Sequence, residues 1–169
     1  MISMNKLKPL LVAISFLLSL SLSSLACAAP GHADSYNDAE MRKMILYYIN
    51  AYRAKHHLSP LSLNEAASEE AAKHSRAMAS KSIPFGHAHF NERIQRVYQQ
   101  VKHCNGGAEN VAYYQLNAKR LVDAWIASPG HRRNIEGHYN VTGIGIAHGK
   151  TGWAYYTQIF VKKEDKAFV

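Results

Sequence analysis

Residues 125–135 read Trp125-Ile126-Ala127-Ser128-Pro129-Gly130-His131-Arg132-Arg133-Asn134-Ile135 and form the most informative stretch of this chain. Proline and glycine end a helical run there and redirect the backbone, so we expect His131 at a corner of the fold. Two upstream stretches also place polar residues beside or near glycine, Phe85-Gly86-His87 and Ala108-Glu109-Asn110. Imidazoles and a carboxylate from three separate segments predict a small polar site, and a metal site if the segments converge.

The first 28 residues have the pattern of a signal peptide. Lys6 and Lys8 precede an apolar run over residues 10–22, and Ala26-Cys27-Ala28 supplies the small residues that signal peptidase recognises. We therefore expect cleavage near Ala28, secretion to the periplasm or the medium, and no transmembrane segment in the mature chain. A membrane anchor is less favoured because the run is short. Lipid attachment at Cys27 is also less favoured, because Ser24 stands where that motif usually has leucine.

The mature chain is basic and has one cysteine. Without Lys6 and Lys8, 18 basic and 12 acidic residues remain, and the charges alternate rather than form a long basic run. This pattern predicts a solvated basic surface that could attract anionic envelope polymers or lipid head groups, and it argues against nucleic acid as a partner. Cys104 alone cannot form an internal disulfide. A buried, inert Cys104 is favoured over a free thiol that pairs between chains.

Hydrophobic periodicity predicts four helices followed by two strands in one domain. Asn37 and Glu40 form a capping-box pattern at the first helix, Asn64 precedes the second, residues 91–101 form the third, and Asn117 caps the fourth. Asn105-Gly106-Gly107 is predicted to be a turn. Residues 142–147 and 153–161 alternate as strands do, around a turn at 148–152. Helices followed by an antiparallel hairpin predict an α+β fold, with helices packed on a small antiparallel sheet.

His87, Glu109 and His131 are the candidate site residues. Zinc binds neutral imidazole nitrogens and carboxylate oxygens, but the sequence spacing does not by itself bring these three together. Each residue taken alone is better explained as a hydrogen-bonded structural group. Their shared position at element ends beside Gly86, Gly107 and Gly130 favours a site, because loops commonly carry binding residues.

Six motifs follow one another along the chain, at residues 85–87, 90–94, 108–112, 124–135, 142–146 and 156–160. Bacterial CAP domains, of the superfamily of cysteine-rich secretory, antigen-five and pathogenesis-related-one proteins, have such motifs in the same order, and this chain therefore resembles them. Together the motifs are specific, although each alone is weak. The resemblance extends over residues 41–161, which we expect to be the domain, with a lead-in at 29–40 and a tail at 162–169.

The resemblance implies an α-β-α sandwich with a central cleft lined by two histidines and two acidic residues. His87 matches the first histidine, Glu109 the first acid and His131 the second histidine. Ser128 stands where many eukaryotic members have the second glutamate, and the nearest acids, Asp123 and Glu136, do not match that position. Ala108 replaces the glycine that usually precedes the first acid.

The cleft of this family has been seen with divalent metal, so the resemblance implies a zinc or magnesium site at His87 and His131. Zinc is the better match to imidazole. His89 and His138 are candidate extra ligands. Asn110, Ser128 and Asn134 complete the expected cleft, and the two asparagines are expected to support its backbone.

Trp125 and Trp153 are expected in the core. Tyr155 and Tyr156 are expected on opposite faces of the last strand, one buried and one half-exposed.

The motifs favour a secreted binding domain over an enzyme. Its ligand would be a lipid, another small molecule or an extracellular partner protein, as the resemblance implies. The alternative is a metal-dependent hydrolase of peptide, ester or cell-wall substrates, with Glu109 as candidate general base. Glu109 cannot act as a free base and ligate the metal at once, which disfavours this alternative. A structural envelope protein that uses only its basic surface is a third hypothesis.

Overall fold

The structure, a computed structural model, describes residues 37–115, 117–150 and 152–164. The predicted signal peptide, with Cys27, lies outside the described residues, as do most of the predicted lead-in and residues 165–169 of the tail. Within the described residues, no helix is both long and apolar enough to cross a membrane.

Five helices and four strands make up this part of the chain. In order they are α1 (Asp38–Lys55), β1 (Ser62–Leu63), α2 (Glu65–Ala79), α3 (Phe90–Gln100), β2 (Cys104–Tyr114), α4 (Ala118–Ala127), α5 (Pro129–Glu136), β3 (Val141–His148) and β4 (Ala154–Lys163). Asn37, Asn64 and Asn117 cap α1, α2 and α4. Each asparagine side chain accepts a hydrogen bond from the backbone N–H three residues later, at 2.9–3.0 Å. Such caps satisfy amide groups that the first helical turn leaves unpaired.

The four strands form one mixed sheet in the order β1-β3-β4-β2. The β3–β4 hairpin and the β2–β4 pair are antiparallel, and the short β1 runs parallel to β3. The α+β class with helices packed on a small sheet is confirmed. The structure adds a parallel pair at one edge and the long strand β2 at the other.

One local prediction was wrong and another was incomplete, because glycine and proline have more than one structural use. Asn105-Gly106-Gly107 is not a turn: it lies within β2, where the pairing register shifts as in a β-bulge. A helix does end before Pro129, as predicted, but a second helix, α5, begins at Pro129 directly after it. The first position of a helix tolerates proline, whose missing N–H would be unpaired there. His131 therefore lies in the first turn of a helix.

Helices cover both faces of the sheet. α2 and α3 pack on one face through Ala67, Ala71, Ile94 and Val97, against Ile159 and Val161 of β4. α1, α4 and α5 pack on the other face around the buried Trp125, against alternate residues of the same strands, Ile144, Tyr156 and Phe160. Because side chains of a strand alternate between faces, the two hairpin strands supply both cores. This is the three-layer arrangement that the family resemblance implied.

The aromatic residues near the hairpin differ in part from expectation. Trp125 is 1% exposed, as predicted for a core residue, but Trp153 is 37% exposed and lies at the surface. Tyr155 and Tyr156 face opposite layers, and both are buried. Both tyrosines are buried because helices of the two layers pack on opposite faces of this part of β4.

The contact between α2 and β3 depends on small residues. An added side-chain carbon at Gly143 would lie 2.1 Å from the backbone carbon of Ala67, and one at Gly145 would lie 2.1 Å from the backbone nitrogen of Ala72. Backbone atoms cannot move aside as a flexible side chain can. The glycines of β3 and the alanines of α2 therefore set how closely the helix approaches the sheet.

Gly143→Ala is expected to lower the free energy of unfolding by at least about 2 kcal/mol, because the new methyl group would force α2 away from β3. Gly130→Ala is a matched control, since its added carbon meets no atom within 4 Å and Gly130 is helical. The control should leave stability unchanged or raise it by up to about 1 kcal/mol. Urea unfolding measures both, and equal stability of the two variants would contradict this account of the helix–sheet contact.

Candidate functional site

The candidate site lies at the edge strand β2, between helices of the two layers. Glu109 and Asn110 are neighbours on this strand and face opposite sides. Glu109 meets Arg93 of α3 and His87 of the loop between α2 and α3. Asn110 meets α5, on which His131 lies. The sheet edge therefore gathers His87, Glu109 and His131 from the three predicted segments.

Two basic side chains contact both oxygens of the Glu109 carboxylate. Arg93 Nε donates to Oε2 at 2.7 Å and Arg93 Nη2 donates to Oε1 at 2.9 Å, which makes the pair bidentate. His87 Nδ1 lies 2.9 Å from the same Oε1. Glu109 is 6% exposed and Arg93 is 3% exposed. A buried carboxylate is costly unless a cation and hydrogen bonds compensate it, and this geometry supplies both.

His74 of α2 holds the loop that presents His87. Its Nε2 lies 2.8 Å from the backbone oxygen of Gly86 and 3.9 Å from Glu109 Oε1. Burial lowers the pKa of His74, so its ring is neutral near pH 7. Since a carbonyl oxygen only accepts, Nε2 must carry the ring hydrogen and donate it to Gly86. The bond fixes Gly86, whose φ of 141° favours glycine, and with it the direction of His87.

Two asparagines fasten α5 to β2. Asn110 Nδ2 donates to the backbone oxygen of His131 at 3.2 Å. Asn134 Nδ2 donates to the backbone oxygen of Glu109 at 3.1 Å and to Asn110 Oδ1 at 2.8 Å. Both side chains thus bond backbone around the cleft, which is the supporting geometry expected for them. The contacts set the position of His131 relative to Glu109.

The His131 imidazole is half-buried, with its ring centre 6.4 Å from that of Trp125. Burial, and then the nearby positive charge that His87 can carry, lower the pKa of His131. His131 is therefore neutral near pH 7. The His87 side chain is 53% exposed, so one imidazole reaches solvent and the other is sheltered.

The remaining candidates are exposed, contact other side chains or join two elements. Ser128 joins α4 to α5, and its side chain makes no cap hydrogen bond. Asp123 pairs with Lys119 at 2.8 Å, and Glu136 accepts a bond from Tyr52 Oη at 2.6 Å. Neither acid replaces the one missing at Ser128. Two other histidines, His89 and His138, are exposed, and His89 Nδ1 lies 3.8 Å from Glu92 Oε1.

His87, Glu109 and His131 do not supply the ligands of the metal site that the family resemblance implied. Across residues 37–115, 117–150 and 152–164, no three histidine, cysteine, aspartate or glutamate side chains form a group able to hold a metal. The chemistry agrees, because both oxygens of Glu109 already accept hydrogen bonds from the Arg93 cation, and Oε1 also lies 2.9 Å from His87 Nδ1. His87 and His131 are then two imidazoles without a carboxylate, fewer than the three protein ligands of a catalytic zinc site.

Sequence reasoning missed Arg93 and His74. Arg93 lies within the Phe90-Asn91-Glu92-Arg93-Ile94 motif, and His74 lies on the small-residue face of α2. The sequence did contain one signal for Arg93. A carboxylate in a cleft needs a nearby cation, and Arg93 is the arginine of a neighbouring motif. For His74 the sequence offered only its position on an otherwise apolar helix face.

Comparisons with known proteins place the chain in a family. The sequence pattern of the cysteine-rich secretory protein family, CAP, matches residues 46–160, so the chain belongs to that family. The Bacillus subtilis uncharacterized protein YkwD is 30% identical over 138 residues, which cover 80% of this chain and 51% of YkwD. The uncharacterized membrane protein YlbC of the same organism is 29% identical over 124 residues, which cover 72% of this chain and 34% of YlbC. The chain thus spans about a third to a half of these relatives.

Solved structures show the same fold. An outer surface protein of Borrelia burgdorferi aligns with a TM-score of 0.66 at 19% identity, over 76% of this chain and 97% of that chain. An extracellular protein containing a SCP domain from Bacillus anthracis aligns with a TM-score of 0.61 at 22% identity, over 76% of this chain and 44% of that chain. At these identities the likeness concerns the fold alone.

Arg93→Met is expected to lower the free energy of unfolding by about 3–5 kcal/mol, because it leaves a buried carboxylate without its cation. Adding Glu109→Gln should restore much of this loss. The exposed pair of Lys119 and Asp123 supplies the control, since solvent screens an exposed pair and Lys119→Met should change stability far less. Urea unfolding at pH 7 measures all three variants, and an Arg93→Met loss no larger than the control's would show that the pair does not stabilise the fold.

The fold is expected to lose stability as pH falls from 7 toward 5. The pKa values of His74 and His131 are lowered from the ordinary 6.5 by burial in the folded state. The unfolded chain therefore binds more protons in this window, and protonation favours unfolding. Urea midpoints measured across the window should fall less steeply for His74→Gln. The exposed His138→Gln should keep the wild-type slope, and an equal slope for all three proteins would contradict the assignment.

Proposed function

We propose that this member of the CAP family is a non-catalytic binding domain that acts outside the cytoplasm and holds a small lipid-like ligand in the cleft between His87 and His131. The observation that carries the proposal is the engagement of Glu109 by Arg93 and His87. The carboxylate of the cleft is thereby committed to the fold, and the groups left for a ligand are two imidazoles.

This arrangement supports binding over hydrolysis. A general base must reach the proton that it removes, and both oxygens of Glu109 already accept hydrogen bonds. Nucleophilic catalysis would need a hydroxyl or thiol bonded to the far nitrogen of His87, and within the described residues the hydrogen bond of this ring runs to Glu109. Ser75 is buried and bonded to Thr157 and the Gly145 backbone, so it is not available to the cleft.

The cleft suits a ligand with one polar end. With Nδ1 directed at Glu109, His87 offers Nε2 to a ligand, and the neutral His131 offers a donor or an acceptor. A hydroxyl or carboxylic acid group could bond to both. Phe85, two residues before His87, is 55% exposed and offers apolar surface to the rest of the ligand. Lipids such as fatty acids have this combination of a polar head and an apolar body.

The proposed location rests on the predicted signal peptide and on two structural relatives. The Bacillus anthracis protein is described as extracellular, and the Borrelia burgdorferi protein as an outer surface protein. For this chain an extracytoplasmic location is an inference from those two proteins and from the first 28 residues.

The binding proposal is tested by native mass spectrometry of the mature protein after incubation with palmitic acid. The wild type is expected to carry one equivalent, and His87→Ala/His131→Ala is expected to lose at least about tenfold in affinity, because two hydrogen bonds to the head group are removed. His138→Ala is the matched control, since it removes an exposed histidine elsewhere. Equal palmitate binding by all three proteins would contradict the proposed cleft.

The same preparations distinguish the binding proposal from the hydrolase alternative. Elemental analysis of protein purified without chelator is expected to find no stoichiometric zinc. One zinc per chain that disappears in His87→Ala, together with ester or peptide hydrolysis lost in the same variant, would establish the alternative and overturn the binding-only proposal.

A further inference from the structure

A cluster of aromatic rings lies at one end of the sheet and has only Phe85 in common with the proposed cleft. It consists of Phe85 in the loop after α2, Tyr113 at the end of β2, Tyr155 at the start of β4, and Trp153 just before it. The Tyr113 ring centre lies 4.6 Å from that of Trp153 and 4.4 Å from that of Tyr155, and Phe85 lies 6.4 Å from both tyrosines. We call these four residues the aromatic end.

Buried residues pack against the inner side of the aromatic end, and its outer side is exposed to solvent. Tyr155 packs on Met78 and Val111, and Ile83 and Tyr113 pack against the same group. Phe85 is 55% exposed and Trp153 is 37% exposed. Exposed aromatic rings on a rigid base suit an interaction surface, because contact with a partner would remove apolar area from water without ordering a flexible segment.

The surrounding sequence is cationic. The three segments that supply the rings, residues 81–89, 110–115 and 148–155, contain no aspartate or glutamate. They do contain Lys81, in the turn after α2, and Lys150, in the closed turn between β3 and β4, where Gly149 and Trp153 share a backbone hydrogen bond of 2.8 Å. The nearby Asp38 of α1 is paired with His148, whose Nε2 lies 2.8 Å from Asp38 Oδ1.

We propose that the aromatic end docks the protein on the surface of an anionic lipid bilayer. Tryptophan and tyrosine favour the membrane–water interface, where a ring enters the acyl boundary and its polar atom stays hydrated. Lysines beside such rings are attracted by the anionic head groups near the membrane surface. Lys81 and Lys150 supply that attraction, and Phe85 and Trp153 supply the apolar contact.

The observations favour a bilayer over two other occupants. A sugar chain would stack on free ring faces, but Tyr113 packs against both Trp153 and Tyr155. A second copy of the chain would bring two cationic ends together, which like charges oppose. A bilayer requires neither free ring faces nor an acidic protein partner.

Docking at this end would also bring the cleft close to lipid. Phe85 and His87 belong to one loop, in which His74 fixes Gly86 between them. This consequence for ligand entry rests on the proposed function, whereas the docking itself does not. The double variant His87→Ala/His131→Ala should dock normally, so failure of the cleft proposal and failure of docking are distinguishable.

The test uses mature protein with vesicles of phosphatidylcholine, alone or with phosphatidylglycerol. Trp125 is buried in the core, so a blue shift of tryptophan fluorescence reports Trp153. Phosphatidylglycerol vesicles are expected to cause this shift and to co-sediment with the protein. Phe85→Ser and, separately, Lys81→Gln/Lys150→Gln should each weaken partitioning by about tenfold.

Matched controls remove the same chemistry elsewhere. Tyr47→Ser removes a ring that is 63% exposed on α1, and Lys55→Gln/Lys102→Gln removes two exposed lysines. Both should bind within about twofold of the wild type, since their side chains lie outside the contact. Absence of vesicle binding would overturn the proposal. So would equal loss in the controls, a dimer in sedimentation that Phe85→Ser abolishes, or binding to soluble anionic glycan in place of vesicles.

Discussion

The Glu109 carboxylate lies at the sheet edge almost without solvent, and a charge in that position needs a cation within hydrogen-bonding distance. Arg93 meets the need with two parallel hydrogen bonds, and these connect α3 to β2. His87 adds a further hydrogen bond to the carboxylate, and this bond orients the imidazole ring. The direction of the exposed imidazole is thus a consequence of how a buried charge is neutralised. Any chemistry assigned to the cleft must begin from a carboxylate that is already paired.

A second buried arginine fixes the other wall of the cleft by a different means. The guanidinium of Arg53, on α1, donates to four backbone oxygens, those of Ser59, Ile135, Gly137 and Tyr139. Three of these lie at or just beyond the end of α5, where unpaired carbonyls and the helix dipole favour a cation. α5 is therefore held at its C-terminal end by Arg53 and along its length by Asn110 and Asn134. His131 lies on a helix that can shift little.

The cleft and the aromatic end share one loop. His74 anchors Gly86, Phe85 precedes it toward the sheet end, and His87 follows it toward Glu109. A buried histidine on α2 thus positions one residue for apolar contact and another for polar contact. The loop is therefore the element through which binding at a surface and binding in the cleft could influence each other.

The sequence by itself determined the local features of this protein. Asn37, Asn64 and Asn117 identified three helix starts, because a cap is a contact between residues three apart. The ordered motifs identified the family, and residues 142–161 identified the hairpin. Tertiary structure alone decided the rest. β2 became a strand through pairing with β4, about fifty residues away, which outweighed its glycines. Glu109 met Arg93 only because α3 folds over the sheet edge, and Pro129 began a helix because Arg53 and Asn134 hold one there. Those contacts join distant residues, and no local pattern of residue types specifies them.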